Sequence, residues 1–96
     1  MNQLTIEQIK SKTLPVLKQA GVLRSSIFGS AARGEADENS DIDILVELPK
    51  QASLLDLVGL KQDLEQVLGK KVDVVEFISI KPALRENILN NQVAII

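Results

Sequence analysis

The sequence predicts a small α/β (α+β) domain, a mixed β-sheet flanked by helices in the order α-β-α(short)-β-α-β-α. Three observations carry that expectation. Helix-type and strand-type segments alternate along the chain and are punctuated by Gly and Pro. A long helical segment separates the second and third strand segments as a crossover would, setting those two strands parallel or nearly adjacent in one sheet. Finally, 96 residues with 45% apolar and 25% charged content suit one modest core. Residues 1–96 are therefore expected to form a single domain.

The elements follow from local chemistry. Thr5-Ile6-Glu7-Gln8 has the form of a capping box and opens a segment with apolar Ile6, Ile9, Leu14 and Leu17. This reads as a helix to about Ala20, stopped by Gly21, with a kink or break expected near Thr13 because Pro15 lies inside it. Val22 to Phe28 is a short β-rich run ending at Gly29. Ser30 to Glu35 forms one helical turn, and Ala36 to Ser40 a polar loop. Asp41 to Leu48 alternates and then turns fully apolar, the pattern of a strand buried on much of both faces, and Pro49 ends it. Ser53, with Asp56 three residues on, caps a helix that reaches Leu68 and closes at Gly69. Val72 to Phe77 is a third strand. Pro82 suits a first helical turn and starts a last helix to about Ala94.

Composition excludes several kinds of function. Phe28 and Phe77 are the aromatic residues, with no Trp or Tyr, so there is no stacking platform for single-stranded bases. Net charge is −2 with the basic residues scattered, which argues against stable direct nucleic-acid binding. Without Cys or His, disulfides, thiolate sites and imidazole ligands are impossible. A bound metal would be held by oxygen, which points to Mg²⁺, Mn²⁺ or Ca²⁺. No signal peptide and no apolar run near membrane-spanning length is visible, so a cytoplasmic address without membrane association is expected.

Asp41 and Asp43 are two apart on an expected strand, so their side chains share a face with Cα atoms roughly 6.6 Å apart. Asp73 opens the third strand in the same phase, and three carboxylates converge if the two strands are neighbours. At about 4 to 5 Å and an effective dielectric near 20, each pair repels by some 3 to 4 kcal/mol. A domain of this size has only about 5 to 15 kcal/mol of net stability. Such a cluster needs either raised pKa values or bound divalent cations. Two Mg²⁺ ions about 3.5 to 4 Å apart would resolve the repulsion and place an in-line attack on an α-phosphorus. Gly29-Ser30 meanwhile closes the first strand in a turn where backbone and hydroxyl approach phosphate oxygens. Arg33, one turn on, offers a guanidinium fork for phosphate charge.

Taken singly, each feature has an ordinary structural reading. A Gly-Ser pair is usually a turn, an Asp-x-Asp a solvated strand start, and a lone Asp73 surface. In combination they are rarer. Gly-Ser followed ten residues later by Asp-x-Asp arises by chance in about one chain in a thousand of this length.

That combination resembles the motif of the DNA polymerase β-like nucleotidyltransferase superfamily. The wider string FGSAARGEADENSDIDILVE (Phe28 to Glu47), with KVDVVE (Lys71 to Glu76), is similar to its minimal nucleotidyltransferase (MNT) branch, and the similarity spans essentially the whole chain. The resemblance implies that Asp41 and Asp43 are metal ligands, and that Asp73 is a third carboxylate that helps activate the attacking hydroxyl. It also implies that Gly29 and Ser30 hold the β- and γ-phosphates of ATP and that Arg33 is the motif's arginine. The expected cofactors are thus two Mg²⁺ ions, with ATP as substrate.

Larger superfamily members carry extra domains for the acceptor, whereas here another molecule must present it. Minimal nucleotidyltransferases of this type are commonly encoded beside a HEPN ribonuclease toxin. The resemblance therefore implies an antitoxin that transfers AMP to a toxin tyrosine, in a hetero-oligomer with that toxin. Two alternatives stand beside it: an antitoxin that only masks its toxin, and a nucleotidyltransferase with a small-molecule or RNA acceptor. The broad apolar helix at 53–68 and the tail Val93-Ala94-Ile95-Ile96 either offer a surface for a partner or are simply core.

Overall fold

Local capping and apolar spacing place the helices much as the sequence indicates. In the computed structural model, which describes residues 4–35 and 39–96, helix α1 runs Ile6–Gln19. Its capping box is closed: Gln8 N donates to Thr5 Oγ1 at 3.0 Å, and Thr5 N donates to Gln8 Oε1 at 2.9 Å. The expected break near Thr13 is absent, and α1 continues through Pro15. Thr13 is buried, and its hydroxyl donates to Ile9 O at 2.7 Å, while Pro15 itself stays exposed. The turn preceding the proline is thus held by a side chain and by packing, which offsets the missing amide donor.

Strand β1 (Arg24–Phe28) leads directly into the short helix α2 (Gly29–Ala32). The loop expected at Ala36 to Ser40 lies partly outside the described residues. Strand β2 (Ile42–Glu47) precedes helix α3 (Leu54–Leu68), whose capping box joins Ser53 and Asp56 and whose C-cap Gly69 is left-handed at φ 67°. Strand β3 (Val72–Glu76) runs into a 3₁₀ turn over Phe77–Ser79, followed by helix α4 (Pro82–Asn90).

One element departs from expectation. The last helix stops at Asn90 rather than near Ala94, and Val93–Ala94 forms a strand, β4. Asn91 Nδ2 donates to Asn87 O at 2.7 Å at the helix end. Beyond it, Ile95 N donates to Ser25 O at 2.8 Å. The free edge of β1 supplies acceptors and donors to this β-branched tail, a reward no local pattern contains. The tail therefore completes the sheet of its own chain, with Val93 and Ile95 packed on the core, rather than standing free for a partner.

The sheet order is β3-β2-β1-β4. The β2–β3 pair is parallel, as the crossover helix requires, while β1 pairs antiparallel with β2 and with β4. Rows spaced by four residues, Ile9, Thr13 and Leu17 on α1 and Leu60, Leu64 and Leu68 on α3, are buried. Apart from Thr13 they form one cluster with Ile27, Ile42, Ile44, Val46 and Val72 of the sheet. Glu65 ties α3 to β3, accepting from Val72 N at 3.0 Å and from Lys61 Nζ at 3.1 Å. The Val72 amide, then Lys61, hold its carboxyl below the ordinary carboxylate range.

The breadth of the apolar surface on α3 is not all core. Leu54 is 75% and Leu55 80% exposed, and Val58 and Val67 also face outward. No helix among the described residues is long and apolar enough to cross a membrane. Leu64, by contrast, is fully buried at the centre of the α3 row. Leu64→Ala should cost about 2 to 5 kcal/mol by cavity formation. Thermal unfolding is the check, since each 1 kcal/mol shifts the midpoint of a domain this size by about 4 to 8 °C. A drop smaller than about 4 °C would mean that the site collapses around the cavity.

Candidate active site

The row of functional groups is set by strand register. Asp43 of β2 lies opposite Asp73 of β3, and on its other side opposite Phe28, the last residue of β1. The turn at Gly29, Asp43 and Asp73 therefore fall in line across three neighbouring strands, where β1 ends and β2 and β3 begin. Ile42 and Ile44 are buried in the core, so the intervening Asp43 emerges on the opposite face of the sheet. Asp43 is half-buried, while Asp73 and Asp41 are exposed. Asp41 precedes β2 rather than lying within it, and the backbone pairing of that strand starts between the two acids, with Ile42 N donating to Lys71 O at 3.0 Å.

This crowding shows in the electrostatics. The Asp43 carboxyl is pushed up from its ordinary 3.8 to about 6, chiefly by burial. The charges of Asp73 and Asp41 add to it, as does a hydrogen bond with the Asp73 side chain. The raised Asp43 carboxyl is the mark of an acidic cluster whose charges repel at close quarters. Among the described residues, no three Asp, Glu, His or Cys side chains already form a closed metal cage. The donor set nevertheless suits a hard divalent cation: it is all oxygen, with two carboxylates opposite each other on paired strands and the charge of a third acting on Asp43.

A raised carboxyl pKa favours the protonated form in the folded state. Its stabilising contribution is full below the unfolded value near 3.8 and is lost as pH rises through about 6. In chelator, the metal-free protein should therefore lose midpoint temperature relative to an Asp43→Asn variant as pH goes from about 5 to about 7. Parallel curves for the two proteins would show that Asp43 is not under electrostatic load.

Gly29 adopts φ +71°, and its Cα lies against the Asp43 carboxylate. Ser30 sits half-buried in the first turn of α2, a helix start that no side chain caps. Arg33 ends α2, and its Nε donates to Glu35 Oε1 at 2.9 Å in an exposed pair. Of the residues singled out from the sequence, Gly29, Asp43 and Asp73 are brought together, with Ser30 and Asp41 adjoining. Arg33 is instead engaged by Glu35. Sequence reasoning missed that pairing, although the two-residue spacing was visible. It also missed the packing of Gly29 on Asp43, which depends on strand register.

A groove of about 610 Å³ lies elsewhere. Arg24, Glu47, Phe77 and Ile78 line it, and the Arg24–Glu47 register pair stands at the opposite end of β1 and β2 from Phe28–Asp43. The raised Asp43 carboxyl makes the carboxylate row, rather than this groove, the candidate site.

A small mixed sheet that carries acids on its parallel pair, beside a glycine turn leaving the first strand, is the minimal nucleotidyltransferase fold. The chain belongs to the nucleotidyltransferase domain family, whose profile matches residues 10–95, and it is a nucleotidyltransferase. It is 55% identical over 93 residues to a Methanocaldococcus jannaschii protein provisionally assigned as a protein adenylyltransferase, covering 97% of this chain and 100% of that one. It is also 39% identical over 97 residues to the protein adenylyltransferase MntA of Thermococcus cleftensis, covering 97% and 98% respectively. Among solved structures, one provisionally described as a minimal nucleotidyltransferase superposes with a TM-score of 0.83 at 36% identity, over 97% of this chain and 98% of that one. A chain of a toxin–antitoxin complex crystallised with AMP-PNP gives 0.78 at 25% identity, over 91% and 72%.

Proposed function

We propose that this chain is an antitoxin of the protein adenylyltransferase type, transferring AMP from ATP to a tyrosine of a HEPN-type ribonuclease toxin with which it forms a hetero-oligomer. The observation that carries the reading is the row formed by Gly29, Asp43 and Asp73, because it puts a phosphate-compatible turn beside coupled carboxylates. The names of the relatives support a protein acceptor, and the AMP-PNP complex of a toxin–antitoxin neighbour supports an adenine nucleotide as donor. The HEPN partner and the tyrosine rest on the family resemblance.

In this reading Gly29 and Ser30 receive the β- and γ-phosphates, and Arg33 exchanges Glu35 for phosphate charge. Asp41, Asp43 and Asp73 would hold two Mg²⁺ ions. When bound, those ions neutralise phosphate charge and stabilise the leaving group. The tyrosine oxygen forms a bond to the α-phosphorus, the bond from that phosphorus to the bridging oxygen breaks, and pyrophosphate departs. Asp73, exposed at the start of β3, accepts the hydroxyl proton. Asp43, held on the buried strand, fixes the position of the reacting phosphate.

The test is to incubate the full chain with labelled ATP, Mg²⁺ and the product of the neighbouring gene, then map any modified residue by mass spectrometry. Adenylylated tyrosine on the toxin is the expected result. Label on RNA or on a small molecule would assign a different acceptor. Toxin neutralised without any label would leave a binding antitoxin.

A further inference from the structure

The geometry points to a second task for Gly29: its missing side chain keeps open the space occupied by the Asp43 carboxylate, making it a positioning residue for that acid as well as part of the phosphate turn. The inference rests on the functional reading above and adds to it a cause for the glycine that is independent of any ligand.

Two glycines, one opening α2 and one just beyond its end, separate φ from space. Gly29 has φ +71° and Gly34 φ +70°, both in the left-handed region that other residues enter at a cost. Among the described residues, a Cβ built on Gly34 meets nothing within 4 Å. A Cβ built on Gly29 would collide with Asp43 Oδ2 and stand 3.3 Å from Cγ and 3.5 Å from Cβ of the same side chain. The φ angles match while the described surroundings do not, so positive φ alone does not account for Gly29.

The collision also has a direction. Asp43 lies on a strand whose neighbouring residues, Ile42 and Ile44, are locked in the core at 1% and 0% exposure. The backbone of β2 is therefore poorly able to yield. What yields is the aspartate side chain, whose χ1 rotation carries the carboxylate out of the row that it forms with Asp73. A side chain at position 29 is thus expected to misplace the acid while leaving the sheet intact.

The experiment compares Gly29→Asn and Gly29→Ala with Gly34→Asn in the full-length protein. Asparagine tolerates positive φ better than alanine, so it relieves most of the conformational strain without removing the Cβ. The first readout is the χ1 rotamer of Asp43, from three-bond NMR couplings in the metal-free protein. Wild type and Gly34→Asn should share one rotamer, and both Gly29 variants should show another. The second is Mn²⁺ affinity, titrated by electron paramagnetic resonance with Mn²⁺ alone. It should fall about 10- to 100-fold in Gly29→Asn and stay within about twofold of wild type in Gly34→Asn, since groups that orient a ligand typically carry that much. An unchanged Asp43 rotamer in Gly29→Asn would overturn the inference, as would unchanged Mn²⁺ affinity where Asp43→Asn lowers it. Equal Mn²⁺ binding by wild type and Asp43→Asn would instead overturn the metal reading, and the rotamer would still decide the role of Gly29.

Discussion

Changing Asp41 and Asp43 together to asparagine is expected to abolish Mg²⁺-dependent adenylyl transfer, by on the order of 10³-fold or more. That factor corresponds to about 4 kcal/mol of lost transition-state stabilisation, within the several kcal/mol that metal-held charge supplies. The fold should survive. Asp41 is exposed outside β2, and Asp43 already carries an electrostatic load that the neutral amide removes. Circular dichroism and thermal unfolding of the double variant check the fold, and labelling of the toxin checks the chemistry. If the variant is folded, fails to label and yet protects cells as well as wild type, masking replaces transfer as the basis of neutralisation.

Asp73→Asn is expected to separate turnover from binding. Asp73 lies on a different strand from the Asp41–Asp43 pair and is the more accessible partner of the Asp43–Asp73 couple. Its removal should lower turnover by about 10²- to 10⁴-fold, the usual worth of a positioned proton acceptor. Nucleotide affinity should fall far less, because the two acids on and beside β2 persist. Single-turnover labelling and equilibrium binding of AMP-PNP give the two quantities separately. Equal losses in both would make Asp73 a ligand only and would remove its assigned part in proton transfer.

The two variants probe one feature, a cluster of acids whose charges repel one another. Its half-buried member sits on a fixed strand: Ile42 and Ile44 anchor β2, so the backbone at Asp43 between them has little freedom to shift. Stability given up at that point is supplied by the core formed from α1, α3 and the sheet. The expected cost of Leu64→Ala and the expected pH dependence of the metal-free protein are two measures of the same balance.

Much of this arrangement was legible in local chemistry. Both capping boxes, Thr5–Gln8 and Ser53–Asp56, were visible as residue pairs three apart, and both close. Gly69 and Pro82 marked a helix end and a helix start for reasons confined to their own backbones. The parallel pairing of β2 and β3 followed from the length of the crossover between them. The meeting of Asp43 with Asp73 was expected only if those strands were neighbours, and the register that sets the two acids opposite each other is a tertiary outcome.

What the sequence by itself determined was therefore the set of elements with strong local signals, together with the identity of the acids and the glycine turn. Tertiary structure alone decided the rest. Val93 and Ala94 join the sheet because the edge of β1 is free to pair with them, which no window around residue 93 contains. Helix α1 passes through Pro15 because packing and the Thr13 hydroxyl hold the preceding turn. Leu54 and Leu55 are exposed because the cross-section of the core, filled by the Leu60, Leu64 and Leu68 row, leaves them outside it. Gly29 meets Asp43 because the antiparallel register of β1 and β2 sets Phe28 opposite that acid. Short-range propensities act within a few residues, whereas each of these outcomes depends on surfaces brought together from distant parts of the chain.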